Sequence, residues 1–209
     1  MAGQLVGEAG AELGPVVTGA GRRHRVGILA LQGDFEAHAK ILGGLGAEPV
    51  EVRVPSDLDG LDALIIPGGE STVMTLGIAR EGMAEPLRRL AADGTPVLGT
   101  CAGMIMLDRD HLRLLDIATR RNAFGRQLRS FETDLELEGI NGGKLRAIFI
   151  RAPWVEEYGP GVEVLASVDG HPVAIRQGRL LAVAFHPELS GETRIHEQLL
   201  AGRNGRAAG

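Results

Sequence analysis

Short apolar runs alternate along the chain with stretches of helical spacing. "RVGILAL" (25–31) is an apolar strand candidate, and "FEAHAKILGGLG" after it has the spacing of a helix. "PVEVRV" (49–54) alternates as a second strand, and "LDALIIPGG" (61–69) is a buried strand ended by Pro-Gly-Gly. "STVMTLGIAREG" and "MAEPLRRLAADG" follow as helices, with Ser71 the expected N-cap of the first. "PVLGT" (96–100) is a fourth strand, and "AGMIMLDRD" begins a helix directly after Cys101. Strands separated by helices imply βαβ units and a parallel sheet covered on both faces.

The second half changes character. "FETDLELEG" (131–139) has period two, and "KLRAIFIRAP", "VEVLASVDG", "HPVAIRQG" and "RLLAVAFHP" follow, broken by Gly and Asp-Gly turn signals. These read as mostly antiparallel strands laid against the parallel part, with "ETRIHEQLL" (192–200) as a closing helix. The expected fold is a single α/β domain over residues 26–200, built on an open, twisted, mixed sheet with flanking helices. Residues 1–25, rich in Gly and Ala, read as a loose extension without the form of a secretory signal, and residues 201–209 as a flexible tail.

Composition narrows the function classes. A net charge of −5, with no block of Lys or Arg, argues against nucleic acid as a partner. No apolar run approaches the ~18 residues of a membrane span. The one cysteine cannot form an internal disulfide, which points to a reducing compartment, the cytoplasm. No ligand cluster calls for a metal, and no cofactor is expected.

That lone thiol carries the chemistry. A free cysteine is often only a small buried apolar side chain. Cys101, however, sits at a strand end before a helix, in Gly-Thr-Cys-Ala-Gly. This is the strand–turn–helix pattern of a nucleophile elbow with Cys in place of Ser. The turn is too tight for larger neighbours than Gly99 and Gly103, and a helix N-terminus favours the thiolate. The N–H of Ala102 points where an oxyanion would form.

A cysteine nucleophile needs a base and a group that orients the base. Of the six histidines, His24 falls in the extension, while His38, His111, His171 and His196 read as solvated. His186 ends an apolar strand and is followed by Pro187 and Glu188. In extended chain, residues two apart share a face, so Glu188 can hold the imidazole. The glycines of "IIPGGEST" (65–72) end an adjacent strand and let backbone N–H groups approach a ligand, which makes Gly69 a second oxyanion donor.

With these residues in hand, a resemblance is visible. "GILALQGDFEAH", "LIIPGGEST", "LGTCAGMI", "RRNAFGRQLRSFETDL", "AIFIRAPWVE" and "FHPEL" resemble the class I (triad-type) glutamine amidotransferases, and among them the glutaminase subunits of pyridoxal 5′-phosphate synthases. The resemblance covers residues 26–200 and implies a flavodoxin-like three-layer fold. It implies hydrolysis of L-glutamine to glutamate and ammonia by Cys101, His186 and Glu188. Glutamine contacts carried over by motif are Gly69, Glu70, Ser71, Arg121, Ile150 and Arg151. The partner it implies is a (β/α)8-barrel synthase subunit in a large hetero-oligomer, to which the ammonia passes. The stretch between Cys101 and Arg121 is shorter than the family's usual connection. The competing readings are a glutaminase serving another synthase, a stand-alone cysteine hydrolase, and a non-catalytic binding module that would not need all three triad residues.

Overall fold

The computed structural model describes residues 22–124 and 130–202. The parallel half opens with β1 (Arg25–Leu29), α1 (Phe35–Gly44) and β2 (Glu48–Val52). A 3-10 turn (Pro55–Leu58) leads to β3 (Ala63–Ile66), α2 (Ser71–Arg80), α3 (Ala84–Ala92), β4 (Val97–Thr100) and α4 (Ala102–Leu107). β5 (Ile117–Arg120), β6 (Ser130–Leu135), β7 (Leu145–Ile150) and β8 (Trp154–Tyr158) follow. The chain then forms β9 (Glu163–Val168), β10 (His171–Gln177), β11 (Leu180–Val183), α5 (Pro187–Ser190) and α6 (Arg194–Ala201).

Seven strands make the main sheet, in the order β2-β1-β3-β4-β11-β10-β9. β2, β1, β3, β4 and β11 run parallel, and β10 and β9 add an antiparallel edge. β3 and β4 are buried along their whole length, as apolar runs covered on both faces must be. The expected open mixed sheet is therefore present, with β9 and β10 continuing it rather than forming a separate layer. β5 pairs with β8, and β6 with β7, as two antiparallel hairpin-like sheets outside it. The period-two patterns did not signal β5 or β8, which are short and half-exposed.

The β6–β7 pair is fastened to the main sheet by aromatic packing. Phe131 stacks on Phe149 with centroids 4.5 Å apart, and Phe149 meets Phe185, just past β11, edge-on at 5.7 Å. Phe149 and Phe185 are fully buried. Burying a side chain of that size stabilises a fold by about 1.5–3 kcal/mol.

Three local expectations change. Glu70, not Ser71, caps α2: its carboxylate accepts from the Thr72 and Val73 N–H groups, and Ser71 is the first helical residue, buried. α4 ends at Leu107 rather than running on through Asp110. The Asp108 carboxylate instead accepts from the Asp110 and His111 N–H groups and from the Thr119 hydroxyl, which closes the short connection into a compact knot. At the N-terminus, residues 22–25 belong to the fold. Arg22 pairs with Asp62 at 2.8 Å, His24 is buried, and β1 begins at Arg25. Residues 1–21 and 203–209 lie outside the described residues.

Candidate active site

The carboxyl ends of four neighbouring parallel strands meet at one rim of the sheet. β1 leads to Gln32, β3 to the Gly68–Ser71 loop, β4 to Cys101, and β11 to His186. Ligands of open α/β sheets bind at such ends. Between them lies a cavity of about 350 Å³, within the ~300–1,000 Å³ range of small-molecule pockets. Cys101, Ala102, Gly69, Glu70, Ser71, Arg121, Ile150, Arg151 and His186 all line it. Every residue singled out from sequence thus reaches one place, except Glu188, which lies behind His186 and is buried.

Cys101 occupies a sharp elbow. Its φ of 48° and ψ of −106° are a backbone conformation that side-chain-bearing residues rarely adopt. The turn is pinned from below by the Cys101 N–H, which donates to Val183 O of β11 at 2.8 Å. The flanking glycines are required by close approach. A Cβ on Gly103 would stand 1.9 Å from Ile66 O, so α4 lies directly against the end of β3. Asn122 (φ 48°) and Arg151 (φ 44°) are also in this conformation and line the same cavity. Clustered backbone strain of this kind marks functional sites.

His186 connects the thiol to a carboxylate. Its Nδ1 is 2.7 Å from Glu188 Oε1, and its ring lies beside Cys101 on the other side of Gly68. Burial disfavours the imidazolium, but the bonds and charges of Cys101 and Glu188 outweigh it and push the His186 pKa up to about 10. For Glu188, burial raises the pKa, and the hydrogen bond and charge of His186 more than offset this, holding the carboxyl below its ordinary value. The backbone N–H of His186 donates to Ile148 O of β7 at 2.8 Å, which anchors the residue beyond the end of its strand. The Cys101 thiol also lies 3.8 Å from Ile150 O.

Ala102 and Gly69, the two expected oxyanion donors, both line the cavity. Ala102 is the first residue of α4, where an N–H has no partner within the helix. Gly69, at φ 147°, follows the Pro-Gly of the β3 loop. Across the cavity, Arg121 reaches Glu70 Oε1 at 3.0 Å and Thr72 Oγ1 at 3.3 Å. Glu70 is therefore engaged with the α2 N-terminus and with Arg121 at once, and its pKa is lowered chiefly by the α2 backbone N–H groups.

Gln32, Ile105, Asn122 and Pro153 also line the cavity and were not singled out from sequence. The histidine assignments need larger correction. His38 and His196 are fully buried, not solvated, and His24 is buried as well. His171 stacks on Trp154 with centroids 3.6 Å apart, and His111 bonds Asp108 at 2.7 Å. Among the described residues no group of three or more His, Cys, Asp or Glu could hold a metal ion, and no helix is long and apolar enough to cross a membrane.

An open mixed sheet with a cysteine elbow at β4 and a histidine–glutamate pair after β11 is the architecture of the class I glutamine amidotransferases. A solved glutamine amidotransferase superposes with a TM-score of 0.80 at 45% identity, covering 86% of this chain and 98% of its own. The Thermotoga maritima PurLQS structure shares the fold alone, at TM-score 0.69 and 20% identity, over 86% of this chain and 98% of its own. The chain belongs to the SNO glutamine amidotransferase family, whose model matches residues 28–202. It is 53% identical over 193 residues to the pyridoxal 5′-phosphate synthase subunit PdxT of Acidothermus cellulolyticus, covering 86% of this chain and 93% of the relative. It is 51% identical over 189 residues to the protein of the same name from Mycolicibacterium vanbaalenii, covering 85% and 96%.

Proposed function

We propose that this chain is the glutaminase subunit of a pyridoxal 5′-phosphate synthase, hydrolysing L-glutamine to L-glutamate and ammonia. The observation that carries the reading is the position of His186, bonded to Glu188 and set beside Cys101 at the wall of the cavity.

The sulfur of Cys101 attacks the side-chain carboxamide carbon of glutamine, with its proton held by His186. The backbone N–H groups of Ala102 and Gly69 hold the oxyanion of the tetrahedral intermediate. His186 then gives its proton to the departing nitrogen, and ammonia leaves a thioester on Cys101. Water, deprotonated by His186, attacks the thioester carbon, releasing glutamate and restoring the thiol. Glu188 stays ionised throughout and stabilises the imidazolium, the role its depressed pKa supports.

Arg121 is a cation suited to the substrate's α-carboxylate, while Gly69, Glu70, Ser71, Ile150 and Arg151 supply the remaining polar and backbone contacts. The ammonia passes to a (β/α)8-barrel synthase subunit in a hetero-oligomer, and the complex works in the cytoplasm. The relatives' names and the match of motifs along the chain support this partner. The test is glutamate release by the chain mixed with the barrel subunit. Cys101→Ala abolishes it if the reading is right, and retained turnover refutes it.

A further inference from the structure

Behind Glu188 a line of buried polar groups continues into the protein. Glu188 Oε1 is taken by His186, but Oε2 is buried with no hydrogen-bond partner, facing His38 Nε2 at 3.6 Å. His38 comes from α1, and its other nitrogen, Nδ1, is 2.9 Å from His196 Nε2 of α6. Thr100, the residue before the nucleophile, places its hydroxyl 3.5 Å from His38 Nε2. Both histidines have no exposed surface, and neither touches the cavity, so neither can meet substrate.

The order of protons along this line follows from elementary chemistry. An ionised carboxylate only accepts, so the nitrogen of His38 that faces it, Nε2, carries the hydrogen. Burial, the largest effect on His38, keeps the ring neutral against the pull of Glu188 and Asp34. A neutral ring with its hydrogen on Nε2 has a bare Nδ1, which must accept from His196 Nε2–H. His196 is then bare at Nδ1, the atom that is buried without a hydrogen-bond partner. Burial above all lowers the His196 pKa to about 4, against the opposing effects of Glu188 and Glu192, so this ring is neutral too.

We infer that His38 and His196 are positioning residues for the glutaminase reaction: His196 orients His38, whose Nε2–H faces the second oxygen of Glu188 and fixes the carboxylate that aligns His186. The inference rests on the proposed function of Cys101, His186 and Glu188. The 3.6 Å separation lies just beyond hydrogen-bond reach, and such contacts at catalytic sites tighten when the reaction complex forms. The need is physical, since a carboxylate oxygen removed from water with no donor is costly, and the charge of Glu188 is required when His186 becomes an imidazolium. The line draws α1 and α6, two helices remote in sequence, onto the base of the site.

Two measurements test this. The first uses the unaltered full chain labelled with 15N-histidine, read by long-range 1H–15N NMR correlation. His38 and His196 are each expected to carry hydrogen on Nε2 alone; a hydrogen on His38 Nδ1 overturns the inference without any variant having to fold. The second assays glutamate release with the barrel subunit. His38→Phe is expected to lower kcat about ten- to hundredfold with little change in KM for glutamine, as misalignment of a catalytic group does. It also moves the acidic limb of the kcat–pH profile to higher pH, because Glu188 loses a donor that favours its ionised form. His38→Gln, which keeps an N–H near the Nε2 position, recovers most of the rate. A His38→Phe protein that folds, turns over like the parent and keeps its pH limb overturns the inference. Cys101→Ala run alongside separates the cases: if it is dead while His38→Phe is unimpaired, the glutaminase reading stands and the positioning role falls.

Discussion

Gly68 lies between Cys101 and His186: a Cβ added there would stand 2.4 Å from His186 Cε1 and 3.3 Å from Cys101 Cβ. The glycine is thus the spacer that lets the imidazole approach the sulfur from the β3 side. Gly68→Ala is expected to push the ring aside and lower kcat on the order of 10²-fold, the cost of misplacing a catalytic group by about 1 Å. Steady-state glutaminase assays read this, with circular dichroism to show an intact fold. Unchanged kcat would mean that the ring has room to spare.

The histidines predict how stability depends on pH. His186 has a folded pKa of about 10 against an ordinary 6.5, so the folded chain keeps a proton that the unfolded chain has lost. That stabilisation is complete below pH 6.5 and drains away as pH climbs toward 10. His196 runs the other way, because the unfolded chain takes up a proton below 6.5 that the folded ring refuses until about 4. Glu188, with its pKa lowered from 4.5, adds to the acid arm by losing its contribution as pH falls through the folded value. Urea midpoints between pH 4 and pH 10 are expected to peak near neutrality and to fall on both sides. Cys101→Ala flattens the alkaline arm, and a midpoint still rising at pH 10 would contradict the assignment of His186.

Gly103 is a structural requirement of a different kind. Its Cβ would meet a backbone oxygen, Ile66 O, which cannot rotate away as a side chain can. Gly103→Ala is expected to cost about 3 kcal/mol by overpacking and to lower Tm by several degrees. Thermal melting by circular dichroism measures it. A Tm equal to that of the parent would show that α4 can slide from β3.

In the proposed reaction Arg121 serves binding rather than chemistry. It lines the cavity beside Glu70 and Thr72, but is not bonded to Cys101 or His186. Arg121→Ala is expected to raise KM for glutamine about ten- to hundredfold, as loss of a charge-assisted bond does, with a smaller change in kcat. Saturation curves for glutamate release test this, and a drop in kcat at unchanged KM would remove Arg121 from substrate binding.

The parallel strands were legible because burial on both faces leaves unbroken apolar runs, as in Leu64–Ile66 and Val97–Leu98. The convergence of Cys101 and His186 was legible because each follows the end of an apolar run, and Glu188 because it stands two residues beyond His186. β5 and β8 escaped notice because Ile117–Arg120 and Trp154–Tyr158 are too short and too exposed to impose a period. The buried histidines escaped because His was read by its polarity. Its spacing held the correct signal: His38 lies four residues before Leu42, and His196 three and four before Leu199 and Leu200, all on inward faces. Glu70 was passed over as a cap because the smaller Ser71 beside it is the commoner choice.

Thr100 and Val183 are paired partners on adjacent parallel strands, one residue before Cys101 and three before His186. The distance from sulfur to imidazole is therefore tied to the ~4.8 Å spacing between neighbouring strands, which the backbone ladder holds nearly constant. Surface connections hang outside that gauge. The connection from α4 to Arg121 lies among these: changes in its length can remodel the entrance to the cavity while sulfur and imidazole keep their separation.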